Sequence, residues 1–180
     1  MKGIRMQANF TIFFIGLLFA VSGAILFYQK AFEAVYNWIF FSKSSPIVLM
    51  GGSGIWFLYN VATLSEADFG NYSKVLFVFF FVLIFLSFFR MHEFLAVRGL
   101  AILLLLMSNI ALNNVRFDPI AGKAFFASAI YAVILLSMLF GSLPYLFKYV
   151  LDRLSGNVSL KFVTGSILIL YGALLIWIAC

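Results

Sequence analysis

The chain has 180 residues, of which 65% are hydrophobic and 10% charged, with a mean hydropathy of +1.13. Soluble domains carry about 25% charged residues, so a separate soluble domain is excluded and a single membrane domain spanning residues 1–180 is expected. The net charge of +6 arises from cations scattered at segment ends, which fits headgroup anchoring rather than nucleic-acid binding.

The first segment opens on Lys2 and Arg5 and runs into an apolar stretch from Ala8 to Tyr28. That stretch is too long for a typical signal-peptide core, so an uncleaved first transmembrane helix is expected. Gly16, Ala20 and Ala24 recur every four residues, a small-residue stripe that lets a second helix approach closely. Lys30 to Phe41 mixes aromatic side chains with Lys30, Glu33 and Asn37, which predicts a short helix lying at the membrane interface. Pro46 then suits the first turn of the next helix, with Ser44 or Ser45 as its cap.

The segment from Pro46 to Leu64 can just span, and it holds Gly51, Gly52 and Gly54. Close helix packing accounts for these glycines, and a broken or re-entrant segment is the alternative. Gly-Gly-Ser-Gly lacks the Gly-Lys-Ser/Thr ending of a phosphate loop. Ser65 to Lys74 is the most polar loop; Glu66 and Asp68 within it do not share a helix face and make no metal or acid–base site alone. Val75 to Phe89 is apolar throughout, rich in Phe and without Gly or Pro, which marks it for the lipid-exposed perimeter. Arg90, His92 and Glu93 form a tight link; a single histidine cannot build a bis-His haem site.

The segment from residue 92 to 114 carries the most unusual polar pattern. With each helical residue advancing about 100°, Asn109 falls about 20° and Asn113 about 60° from Arg98. Arg98, Asn109 and Asn113 therefore share one stripe of an otherwise apolar helix. Either Arg98 snorkels to the headgroups and the asparagines, with Asn114, cap the far end, or the stripe lines a polar cavity or subunit contact. After a turn holding Arg116, Asp118, Pro119 and Gly122, the segment from Ala124 to Leu143 is the next span. Ala124, Ser128 and Ala132 repeat the four-residue small stripe there. Pro144 bends or ends that helix, Tyr145 to Leu154 reads as an interfacial continuation in which Lys148 and Asp152 can pair, and Leu160 to Cys180 is the last span. That span has Lys161 near its start and Gly165, Gly172 and Ala173 inside. Cys180, the lone cysteine, excludes an internal disulfide, zinc ribbons and c-type haem attachment.

The expected architecture is an all-α, polytopic membrane helix bundle of about six spans, or five if residues 46–64 are re-entrant, plus the interfacial helix near 30–41. In the six-span arrangement Lys30, Lys43, Arg90, Arg98, Lys148, Arg153 and Lys161 share the side expected to be cytoplasmic. No catalytic, cofactor-binding or metal-binding constellation is visible, and no cofactor is expected. The expected role is a non-catalytic accessory, assembly or scaffold subunit. Its partners would be the bilayer and either other membrane subunits or copies of itself, in a bacterial-type cytoplasmic membrane. A small oligomeric channel or transporter using the Arg98–Asn113 stripe is the alternative. A lipid-directed enzyme would need Glu66, Asp68, His92 and Glu93 to converge from opposite faces.

Overall fold

The computed structural model describes residues 2–64, 72–90, 94–116 and 122–179, with side chains excluded for residues 2–7 and for Arg90. Every element among them is helical: α1 (Lys2–Phe27), α2 (Gln29–Phe41), α3 (Ser44–Pro46), a π-helical turn (Ile47–Gly51), α4 (Gly52–Ala62), α5 (Ser73–Arg90), α6 (Leu95–Val115), α7 (Lys123–Ser142), α8 (Pro144–Gly156) and α9 (Val158–Ala179). Four stretches are long and apolar enough to cross a membrane: Ala8–Phe27, Leu95–Val115, Lys123–Ser142 and Val158–Ala179. The other two segments expected to span are the short apolar helix α5 and the helix interrupted by the π turn.

Close approaches fix the helix directions. Gly16 lies against Gly172 and Gly23 against Gly165, so α1 and α9 are antiparallel. Gly122 meets Ile178 and Ser128 meets Tyr171, so α7 also opposes α9. Gly141 meets Ala101, so α6 opposes α7. One end of the bundle, the first end, thus gathers the start of α1, the end of α6, the start of α7 and the end of α9. Its core is buried there by Ala8, Ile12, Ala111, Val115, Phe126 and Leu175. Apolar side chains interdigitate here because helices in a bilayer associate through packing rather than hydrophobic transfer.

At the second end, α2 and α8 are short amphipathic helices beside the spans. Their sequence-expected positions, near 30–41 and from Tyr145 to Leu154, fall within the observed helices. Pro144 occupies the first turn of α8, where its missing N–H costs nothing. Ser44 and Ser45 lie inside the helix rather than at its cap: the N-cap position is Lys43, which makes no side-chain cap bond, and the Ser42 Oγ one residue earlier accepts from the Ser44 amide at 3.3 Å. Ser45 is fully buried and its Oγ lies 3.0 Å from the carbonyls of Ile39 and Ser42, tying α2 to α3.

From Ser44 to Ala62 the backbone stays helical through the π turn, without the break that the glycines permit. A Cβ at Gly51 or Gly52 would meet nothing within 4 Å, so these two do not serve close packing; Gly54 alone faces a neighbour, Ile84 of α5. The tight contact is made from the other side. A Cβ on Gly99 of α6 would collide with the backbone of Leu49 and Met50, so only glycine lets α6 reach the π turn. α4 and α5 form an antiparallel hairpin, with Phe57 edge-on to Phe80 at 5.0 Å. Phe79, Phe81, Phe85 and Phe89 remain exposed on α5.

Candidate functional site: a polar cleft, a buried lysine and an open helix face

The predicted stripe on α6 divides in the structure. Arg98 is half-buried in the first turn, with its amide on the Phe94 carbonyl at 3.2 Å. Asn109 and Asn113 are exposed near the opposite end of the helix, roughly 16 Å and 22 Å further along at 1.5 Å per residue. Angular agreement on a helical wheel does not bring side chains together when they lie three turns apart. Asn113 donates to Asn109 Oδ1 at 3.3 Å, whereas Asn114 donates to Thr11 of α1 at 3.1 Å.

Asn109 and Asn113 line a cleft of ≈ 390 Å³ between α6 and α7 at the first end. Arg116 and Lys123 stand at its rim, Tyr131 lies deeper, and Leu112, Val115, Phe126 and Ala127 supply the apolar wall. Lys123 Nζ donates to the Arg116 carbonyl, which satisfies the C-terminus of α6 and holds the ammonium at the rim. Sequence reasoning placed Arg116 and Lys123 only in a turn. Their pairing with the asparagines follows from the antiparallel return of α7, which no local pattern announces.

A second polar group, missed as a group from the sequence, lies at the other end. Lys161 is only 6% exposed although it carries an ammonium. Its Nζ donates to Gln29 Oε1 at 2.5 Å and sits 4.1 Å from the centre of the Phe32 ring. Gln29 in turn donates to Glu33 at 2.6 Å, so α2 is fastened to α9 by a buried cation. Nearby, Tyr36 donates to Asp152 of α8 at 2.6 Å. That carboxylate pushes the Tyr36 hydroxyl up to about 12, because losing the proton would cost the bond and set two negative charges together. The expected Lys148–Asp152 pairing is thus replaced by a bond to a different helix. Asp152 is reached by Tyr36 only because α2 and α8 lie side by side.

The two small-residue stripes have different fates. On α1, Gly16 and Ala20 abut Gly172, and the stripe continues through buried Gly23 rather than Ala24, which is half-buried. On α7, Ala124, Ser128 and Ala132 are exposed, on the far side from buried Phe126 and Ile130. Ser128 bonds to the Phe125 carbonyl at 2.8 Å and lies 3.1 Å from the Tyr171 hydroxyl, at the edge of α9.

A second cleft, of ≈ 380 Å³, is almost wholly apolar and lies between α4, α5 and α6 beside Met50, Gly54 and Phe80. Among the described residues no three His, Cys, Asp or Glu side chains converge as a metal site. Glu66, Asp68, His92, Glu93, Asp118 and Cys180 lie outside the described residues. The chain matches no family model, no curated protein and no solved structure.

Proposed function

We propose that this chain is a non-catalytic, multi-pass subunit that helps to assemble or scaffold a larger membrane complex. The observation that carries the proposal is the exposed Ala124–Ser128–Ala132 face of α7. The equivalent small face of α1 is filled by α9, with backbone-to-backbone contact. A face of the same kind left open invites a helix from another chain. Exposed Leu135 and Leu139 extend α7 toward the second end with larger apolar side chains.

The proposed topology has six crossings. α1 ends, and α6 begins, at the second end of the bundle, so the chain between them crosses an even number of times, and leaving once and returning once gives six. The helical stretch Ser44–Ala62 and α5 do so as a hairpin of 19 and 18 residues. At 1.5 Å per residue each is roughly 27–28 Å long, close to a ~30 Å hydrocarbon core. A five-span arrangement would bring α6 in from the wrong end. The second end carries Lys30, Lys43, Arg90, Arg98, Lys148, Arg153 and Lys161 and is assigned to the cytoplasm.

The alternative is a small oligomeric channel or transporter, favoured by the exposed Asn109–Asn113 pair. One experiment separates them. The chain is purified from gently solubilised native membranes, its co-purifying proteins are identified and the complex is weighed. Stoichiometric unrelated subunits support the first reading, and Ser128→Leu with Ala132→Leu should release them while the chain itself stays folded. A homo-oligomer alone overturns it and makes Asn109 and Asn113 the residues to substitute in a flux assay.

A further inference from the structure

We infer that the cleft between α6 and α7 is a binding site for one anionic diacyl phospholipid. The phosphate would sit at the rim, the glycerol esters at the asparagines, and an acyl chain along the apolar wall. Three observations supply these parts.

The rim is cationic. Arg116 is exposed and Lys123 is fixed beside it by its bond to the Arg116 carbonyl. The sequence sets a single acid, Asp118, in the same link, so two cations against one acid leave the rim net positive. A cationic rim attracts an anionic phosphate headgroup by charge complementarity.

Below the rim the wall carries amides. Asn113 and Asn109 lie roughly 4–5 Å and 10–11 Å from Arg116 along the helix axis. Asn113 uses one amide hydrogen on Asn109. The remaining amide N–H groups are donors beside a cleft that Arg116, Lys123 and Tyr131 also line. Ester carbonyls, one glycerol unit beneath a phosphate, are acceptors at that depth. An asparagine exposed within an apolar helix is costly when only hydrocarbon covers it, and an ester carbonyl relieves that cost.

The third observation selects a lipid over a free anion. Leu112 and Ala127, both half-buried, give the cleft apolar surface, which inorganic phosphate cannot use.

The test uses the full chain, purified in a neutral detergent and stripped of lipid. Phosphatidylglycerol, phosphatidylcholine and inorganic phosphate are titrated separately, and bound lipid per protomer is read by native mass spectrometry. The expected result is one phosphatidylglycerol per protomer, retained at least tenfold more tightly than phosphatidylcholine and not displaced by phosphate. Arg116→Gln should weaken phosphatidylglycerol about fivefold, the factor set by one basic residue near an anionic surface, and Arg116→Lys should restore it. Asn109→Leu with Asn113→Leu should weaken both lipids, which loss of rim charge does not do. Lys148→Gln, at the other end of the bundle, should change neither. Equal retention of both lipids, or Arg116→Gln binding like wild type, overturns the assignment. Displacement by phosphate overturns the lipid and leaves a free-anion site. Should Arg116→Gln lose its monodisperse peak, the wild-type lipid comparison and Arg116→Lys decide alone.

Discussion

Replacing Gly172 by alanine tests whether α1 and α9 are held by direct backbone contact. A Cβ at position 172 would lie 2.6 Å from the Gly16 carbonyl oxygen and 2.7 Å from the Ala20 amide nitrogen. Ordinary contact begins near 3.4 Å, so the two helices would have to part by about 0.8 Å at this point. Neither obstructing atom can rotate away, because both belong to helical backbone. A gap of that order forfeits a quarter to a half of each dispersion contact it opens, and packing is the main force between helices in a bilayer. Overpacking of this kind costs ~1–3 kcal/mol. Alanine's better helix propensity offsets ~0.8–1.0 kcal/mol of that. Gly172→Ala should therefore lose a net of up to ~2 kcal/mol, and should stand below Gly52→Ala by the ~1–3 kcal/mol of overpacking.

Gly52→Ala is the matched control, since nothing lies within 4 Å of its Cβ direction. Propensity alone acts there, and the variant should gain up to ~1 kcal/mol. The graded series is informative too. Gly16→Ala and Gly23→Ala should fall between these limits, because each Cβ clears its opposing carbonyl by slightly more, 2.9 and 2.8 Å. Gly165→Ala should be mildest of the four contact glycines, since its nearest obstacle is the Phe27 ring, a side chain that can turn. Unfolding of the purified variants in mixed micelles, followed by circular dichroism, gives the free energies. If Gly172→Ala proves as stabilising as Gly52→Ala, the close backbone contact is wrong.

Three further substitutions probe polar groups. Lys161→Ala should destabilise by ~1–3 kcal/mol, from loss of the cation–ring contact, the bond to Gln29 and the packing of the lysine stem. Lys161→Met should recover part of this, and protease nicking between α1 and α2 reports the release of α2. Ser137 is 1% exposed and its hydroxyl has no hydrogen-bond partner, so Ser137→Ala should raise stability by about 1 kcal/mol; a loss on thermal unfolding would refute that. Tyr36 carries a pH dependence. Its folded pKa, about 12, exceeds the ordinary 10.0, so its contribution is complete below pH 10 and is lost as pH rises toward 12. Unfolding measured against pH should show a decline in that window, and Tyr36→Phe should flatten it.

The helical membrane character of the chain was legible because it depends on local composition. Each apolar run meets its own backbone hydrogen bonds in a helix, whatever its neighbours do. The ends of α2 and α8 were legible for the same reason, since Pro144 and the Ser-Lys-Ser-Ser-Pro break act within a few residues. Gly23 could also have been found: Gly16, Ala20 and Gly23 follow the four-then-three spacing that keeps one face turned to a partner, which strict four-residue counting abandons at Ala24. What sequence could not supply was the third dimension. Lys161 reads as an interfacial cation until α2 folds over it and makes its burial possible. Arg98 and Asn109 share an angle but not a depth. Arg116, Lys123, Asn109 and Asn113 line one cleft only once α7 returns beside α6.

The same logic separates the two small stripes, which sequence cannot tell apart. A four-residue repeat of small side chains says that a helix can be approached closely along one line, not what approaches it. On α1 the occupant belongs to the chain: α9 brings Gly165 and Gly172 at the complementary spacing of seven, so glycine meets glycine at both ends of the contact. On α7 the Ala124–Ser128–Ala132 line points away from α6 and from the buried core. α9 touches only its edge, through Tyr171 and Ser128. Alanine and serine allow approach less closely than glycine, so a helix seated there would stand further off than α9 stands from α1. Ala132→Gly should therefore tighten such a contact and Ala132→Leu abolish it, with the chain's own unfolding free energy changed by no more than helix propensity accounts for, ~1 kcal/mol for glycine and a few tenths for leucine. An Ala132→Leu variant that unfolds more easily by several kcal/mol would mean that the face is already filled within the chain.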